Sequence, residues 1–196
     1  TTNHRLRGIA YVYVRLSFDS DVYPNGVPNI SFEVQGKKVF DPRSSATAFS
    51  SNPALCIRDY LLDSNYGLDA DSTEINDTNF SAVANTCDED VSLSSGTEDR
   101  FTLNGSFELQ QSPKTIIENM LSSIAGNLIY SNGQFKLRAA VYSTPSVTLN
   151  EEHFRSGITL NTRISKKELF NAVKGLYSEP ANNYQPQDYP ILTSIC

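Results

Sequence analysis

Residues 112–141, SPKTIIENMLSSIAGNLIYSNGQFKLRAAV, carry two readable signals in succession. Ser112 followed by Pro113 is a helix start, because a serine hydroxyl can accept an orphan N–H and proline is tolerated at the first helical position. Ile116, Ile117, Met120, Leu121 and Ile124 then recur at spacings of three and four, so one helical face is apolar. Gly126 is the expected left-handed cap. The period next drops to two. Leu128, Ile129 and Tyr130 lead into Asn132-Gly133, the pair favoured in two-residue type I′ turns, and Phe135, Leu137, Ala139 and Val141 return on alternate positions. A helix followed by a hairpin predicts an α+β chain.

The same grammar extends towards the N-terminus. Asn52-Pro53 repeats the start signal, with Ala54, Leu55, Arg58, Leu61 and Leu62 forming a short amphipathic helix ended by Ser64-Asn65-Tyr66-Gly67. Phe80, Val83, Ala84 and Cys87 predict a second helix over 77–87 and place Cys87 inside. Between 8 and 18, Ala10, Val12, Val14, Leu16 and Phe18 alternate with Ile9, Tyr11, Tyr13, Arg15 and Ser17, the pattern of a strand. Ile30, Phe32 and Val34, then Gly36-Lys37, then 38–41 read as a hairpin. Residues 88–97 read as an exposed acidic loop, with strand alternation at Phe101, Leu103, Phe107 and Leu109. Further strands are expected at 158–164 and 169–177, and 180–190 reads as an extended connector.

Composition bounds the function. The 196 residues carry a net charge of −6, with no global positive field to attract nucleic acid or an anionic membrane. No apolar run reaches the ~20 residues of a membrane span, and a mean hydropathy of −0.35 with 39% hydrophobic residues is that of a soluble globular chain. Three cysteines, Cys56, Cys87 and Cys196, without a Cys-x-x-Cys clip, predict free thiols in a reducing compartment. A start at Thr1 without methionine or a secretory signal reads as an excised internal piece, and the Asn-x-Ser/Thr sequons at Asn29, Asn76, Asn79 and Asn104 as unglycosylated.

Motifs for chemistry are sparse. His4 and His153 stand far apart and outside any zinc frame. Asp63, Asp69, Asp71, Glu74 and Asp77 do not follow the EF-hand order and read as a solvated loop. No Gly-x-Ser-x-Gly elbow, Walker loop or Gly-x-Gly-x-x-Gly occurs, so no catalytic, cofactor-binding or metal residue is assigned, and neither enzyme activity nor a cofactor is expected. Lys37-Lys38 and Lys166-Lys167 read as exposed turns. Tyr11, Tyr13, Tyr60, Tyr66, Tyr177, Tyr184 and Tyr189 read as packing or protein-interface residues.

Whole segments also resemble a known family. RLRGIA at 5–10, PNGVPN at 24–29, GKKVFDPR at 36–43, SNPALCIRDYL at 51–61, ANTCDE at 84–89, KLRA at 136–139 and FNAVKG at 170–175 stand in the same order as in the tip attachment protein J family of lambda-like phage tails. The resemblance implies an internal piece of a homotrimeric tail tip, or baseplate hub, that closes the tail tube and supports host attachment and DNA ejection. Segments 1–42 and 156–196 would then form one β-rich hub layer, with 43–155 an α+β insertion of two or three short helices and the β-hairpin 128–142. The implied partners are copies of itself and other tail tip and tail tube proteins, with no stable nucleic-acid binding. The implied location is the virion tail tip, after synthesis in the bacterial cytoplasm. The alternative is a carbohydrate-binding or carbohydrate-degrading tail module, which would need an aromatic-lined groove with convergent acids.

Overall fold

The computed structural model describes residues 9–17, 19–93, 96–157, 159, 162, 165 and 170–193. The chain divides into two units, 1–142 and 143–196. Its secondary structure is mixed α+β: three helices and five separate two-stranded antiparallel sheets among the described residues.

In the first unit, β1 (Lys38–Asp41) pairs with β2 (Ala46–Phe49). Helix α1 (Pro53–Leu62) and helix α2 (Asp77–Cys87) follow, joined through a 3-10 turn at Ser72–Glu74. Then come a small hairpin of β3 (Asp90–Ser92) and β4 (Thr97–Asp99), helix α3 (Pro113–Ser122), and the hairpin β5 (Asn127–Ser131) with β6 (Gln134–Arg138). The expected starts hold: Asn52 accepts from the N–H groups of Ala54 and Leu55, Ser112 from that of Thr115, and Pro53 and Pro113 open their helices. Asn132 and Gly133 both take positive φ, +55° and +74°, as the type I′ turn requires.

The core lies where α1, α2 and β6 meet. Phe80, Leu55, Ile57, Leu61, Ile124 and Leu137 are its largest fully enclosed apolar side chains, each stabilising by about 1.5–3 kcal/mol relative to exposure. A parallel bridge between Ile75 and Phe135 ties the 3-10 segment to the outer edge of β6. Every buried residue among those described falls between Val39 and Leu137. Residues 37–142 expressed alone are therefore expected to unfold in one transition, within a few degrees of the parent chain's, by circular dichroism. A fragment without a cooperative transition would show that the flanks complete the core.

Several local expectations give way to tertiary pairing. Residues 9–17 form no strand, and Tyr13 and Val12 are exposed; 8 and 18 lie outside the described residues. Alternation specifies two faces, but a strand also needs a ladder partner, and none is paired there. The hairpin expected between 30–34 and 38–41 is replaced by β1–β2, because the stronger turn lies downstream. Asp41 accepts the N–H of Arg43 at 2.8 Å and Ser45 takes φ +56°.

Gly126 is not the left-handed cap. Ala125 takes that conformation (φ +45°), and glycine is required next to it because a Cβ would stand 2.3 Å from the Arg138 carbonyl oxygen. The acidic loop 88–97 holds the β3–β4 hairpin, turned at Gly96 (φ +98°). Residues 101–109 form no strand. They run as a strap whose Phe101 and Leu103 N–H groups donate to the carbonyls of Cys87 and Ser51.

In the second unit, β7 (Ala172–Val173) pairs with β10 (Leu192–Thr193), and β8 (Leu176–Glu179) with β9 (Gln185–Asp188). Residues 180–190 are thus no connector: a 3-10 turn at Pro180–Asn182, then Asn183 and Tyr184 at positive φ, reverse the chain. At Gly175 a Cβ would meet the Tyr189 ring at 2.6 Å, so a larger residue there would push that ring aside. The strand expected over 158–164 lies largely outside the described residues, as do Lys166 and Lys167.

Candidate functional site

The charged side chains gather around α1. Lys37, just before β1, places its Nζ 2.7 Å from both Asp59 and Asp63, and 4.7 Å above the Tyr66 ring. Burial opposes the charge of Lys37, but the two carboxylates outweigh it and raise its pKa. Asp63, against the same opposing burial, is brought down to about 2 by Lys37 and by the N–H groups of Asn65 and Tyr66. Arg43 binds Asp41 with Nε and Nη2, and reaches Asn85 and Asp88 on α2 and its cap at 2.8 Å with Nη1. Hydrogen bonding to Arg43 lowers the Asp41 pKa. Arg58, nearly enclosed, donates to both Asp77 oxygens and lies over the Phe40 ring at 5.5 Å.

These groups are cross-braces between elements. The acidic stretch read as a solvated loop is used one residue at a time. Asp63 holds Lys37, Asp71 caps the 3-10 turn through Thr73, Glu74 accepts from the Asp71 N–H and the Tyr130 hydroxyl, and Asp77 pairs with Arg58. Among the described residues no group of three His, Cys, Asp or Glu side chains is placed to hold one metal ion. His153 closes a local turn with Asn150, and His4 lies outside the described residues. Lys37 is no free turn residue, and its role was hidden from sequence because both acids lie more than twenty positions away.

The two described cysteines are free. Cys87 is enclosed in the core and Cys56 is half-buried, its thiol donating to the Ser50 carbonyl at 3.5 Å. Burial pushes both thiols up to about 11, the reverse of the lowered pKa of a nucleophilic cysteine. Alkylation of the native chain at neutral pH is expected to be slow at both. Because the folded pKa lies above that of an ordinary thiol near 8.5, the neutral thiols' contribution is complete below that pH and fades as pH rises towards 11. Urea midpoints should therefore fall over that range. A midpoint unchanged up to pH 11, or rapid labelling at neutral pH, would overturn the buried assignment. Cys196 lies outside the described residues.

The tyrosines split. Tyr60 is enclosed and meets Phe107 edge-on at 5.4 Å, while Tyr11 and Tyr13 are 63% and 82% exposed. The exposed apolar side chains concentrate at Ile9, Val12, Val22, Val27, Phe32 and Val34 in the first unit.

No helix among the described residues is long and apolar enough to cross a membrane. No family model matches the chain. Among curated proteins, the Tip attachment protein J of Escherichia phage SECphi27 is 24% identical over 198 residues, a match covering 92% of this chain. The chain spans 16% of the length of that relative, so it is similar to one segment of a much longer tail protein.

Proposed function

We propose that this chain is a structural segment of a phage tail tip. The observation that carries the reading is the similarity to a tip attachment protein along 92% of the chain. It is supported by charged groups that brace the fold and by apolar side chains left uncovered along 9–34. In this reading the parent protein trimerises as a hub at the end of the tail tube, supporting host attachment and DNA ejection beside other tail tip and tube proteins. The segment is not an enzyme, and its net charge of −6 keeps it from holding passing DNA.

The test uses the parent protein and its phage. Light scattering of the full-length protein should give a trimer, and in-frame deletion of this region should abolish infectivity. A parent that stays monomeric at high concentration, or infectious virions lacking the region, would defeat the hub reading. Hydrolysis or tight binding of capsular polysaccharide by the chain would instead support a carbohydrate-directed tail module.

A further inference from the structure

Three Asn-Gly steps occur in the sequence, at 25–26, 104–105 and 132–133, and all six residues are exposed. Exposure does not distinguish them, but backbone does. Gly26 N–H donates to the Tyr23 carbonyl at 3.1 Å, so its nitrogen is engaged in a turn. Asn132 and Gly133 are held at positive φ between ladder pairs, Ser131 facing Gln134 and Tyr130 facing Phe135. Gly105 lies in a segment without secondary structure, held neither by a turn bond at its own N–H, as Gly26 is, nor at positive φ between ladder pairs, as Gly133 is, and at none of the three glycines does anything stand within 4 Å of the position a Cβ would take.

We infer that Asn104 is a site of spontaneous deamidation, a slow chemical modification built into the strap over α1. The Gly105 backbone nitrogen attacks the Asn104 side-chain carbonyl carbon. The new N–C bond closes a five-membered succinimide while the C–N bond to the side-chain amide breaks, and ammonia leaves with the proton from Gly105. Water then opens the ring at either carbonyl, giving aspartate or isoaspartate. Attack needs the backbone to bring nitrogen and carbonyl carbon together. The ladder around Asn132 resists that rotation, and the turn bond of Gly26 must first break.

The position matters because Asn104 sits between two anchors. Leu103 N–H donates to the Ser51 carbonyl at 2.7 Å on one side, and Phe107 packs edge-on against Tyr60 on the other. Isoaspartate adds a backbone carbon and a carboxylate between them, which slackens the strap and releases Phe107 from Tyr60.

The experiment incubates the full native chain in mildly alkaline buffer and follows each Asn-Gly peptide by mass spectrometry. Asn104 should convert first, ahead of Asn132 by roughly tenfold to a hundredfold, the range over which misplacing reacting atoms slows a reaction, with Asn25 between. In concentrated urea the three rates should converge. The Gly105→Ala variant should keep the native circular dichroism, because its Cβ meets nothing, and slow conversion at Asn104 by about tenfold through crowding of the attack. Equal native rates, Asn132 leading, or an order that survives in urea would overturn the assignment. The deamidated fraction should melt below the unmodified chain, and coincident melting would overturn the slackening of the strap.

Discussion

Phe80→Ala is expected to destabilise the first unit by about 3–5 kcal/mol, a large share of the 5–15 kcal/mol that holds a typical domain together. Phe80 is fully enclosed on α2, the helix that packs against both α1 and β6. Removing the ring forfeits its transfer free energy and leaves a cavity that rigid elements on either side cannot collapse into. Urea unfolding followed by far-UV circular dichroism measures the loss. Phe49→Ala provides the contrast, because Phe49 on β2 is 41% exposed and should change stability by less than about 1 kcal/mol. Equal losses at the two positions would mean that the core does not lie between α1, α2 and β6.

Asn52→Ala is expected to cost about 2–4 kcal/mol, more than the roughly 1 kcal/mol of an ordinary helix cap. The Asn52 side chain, almost wholly buried, uses both ends of its amide. Its oxygen accepts from the N–H groups of Ala54 and Leu55 at 3.0 and 3.3 Å, and its Nδ2 donates to the Ala84 carbonyl at 2.9 Å and to Asp88 at 2.7 Å. One residue therefore caps the start of α1 and ties it to the end of α2. Alanine leaves the two α1 N–H groups without their buried acceptor and takes one of the two donors of the Ala84 carbonyl, which keeps only the Asp88 N–H at 3.1 Å, and each unmet buried group is costly. Asn52→Asp separates the two roles, since it preserves the cap but loses the donor and faces Asp88 with a second carboxylate. Its loss should approach that of alanine. An aspartate variant as stable as the parent would reduce Asn52 to a simple cap.

Asn52 also shows how far local reading reaches. Its cap was legible because an asparagine before proline and an apolar helical face is a local signal. Its grip on Ala84 and Asp88 was not, because those residues lie more than thirty positions away. The same division runs through the braces. Asp63, Asp71, Glu74 and Asp77 are visible as an acidic stretch, yet only their neighbours in space turn one into a Lys37 partner, two into the cap of a 3-10 turn and one into the counter-ion of nearly enclosed Arg58. The interface reading of the tyrosines divides likewise: Tyr60 is enclosed against Phe107, a residue distant in sequence, while Tyr13 is exposed.

By itself the sequence determined the three helices, the β5–β6 hairpin and the burial of Cys87, because helix caps, a 3.6-residue period and a two-residue turn act over fewer than five positions and need no distant partner. Only the tertiary structure decided which strands exist and which glycine conformation is used. Residues 9–17 alternate as cleanly as any strand but have no ladder, β1 takes the partner its downstream turn delivers, and Gly126 is required by the Arg138 carbonyl rather than by its own φ. The reason is physical: a helix closes its hydrogen bonds within itself, whereas a strand and a close backbone contact are completed by chain from elsewhere.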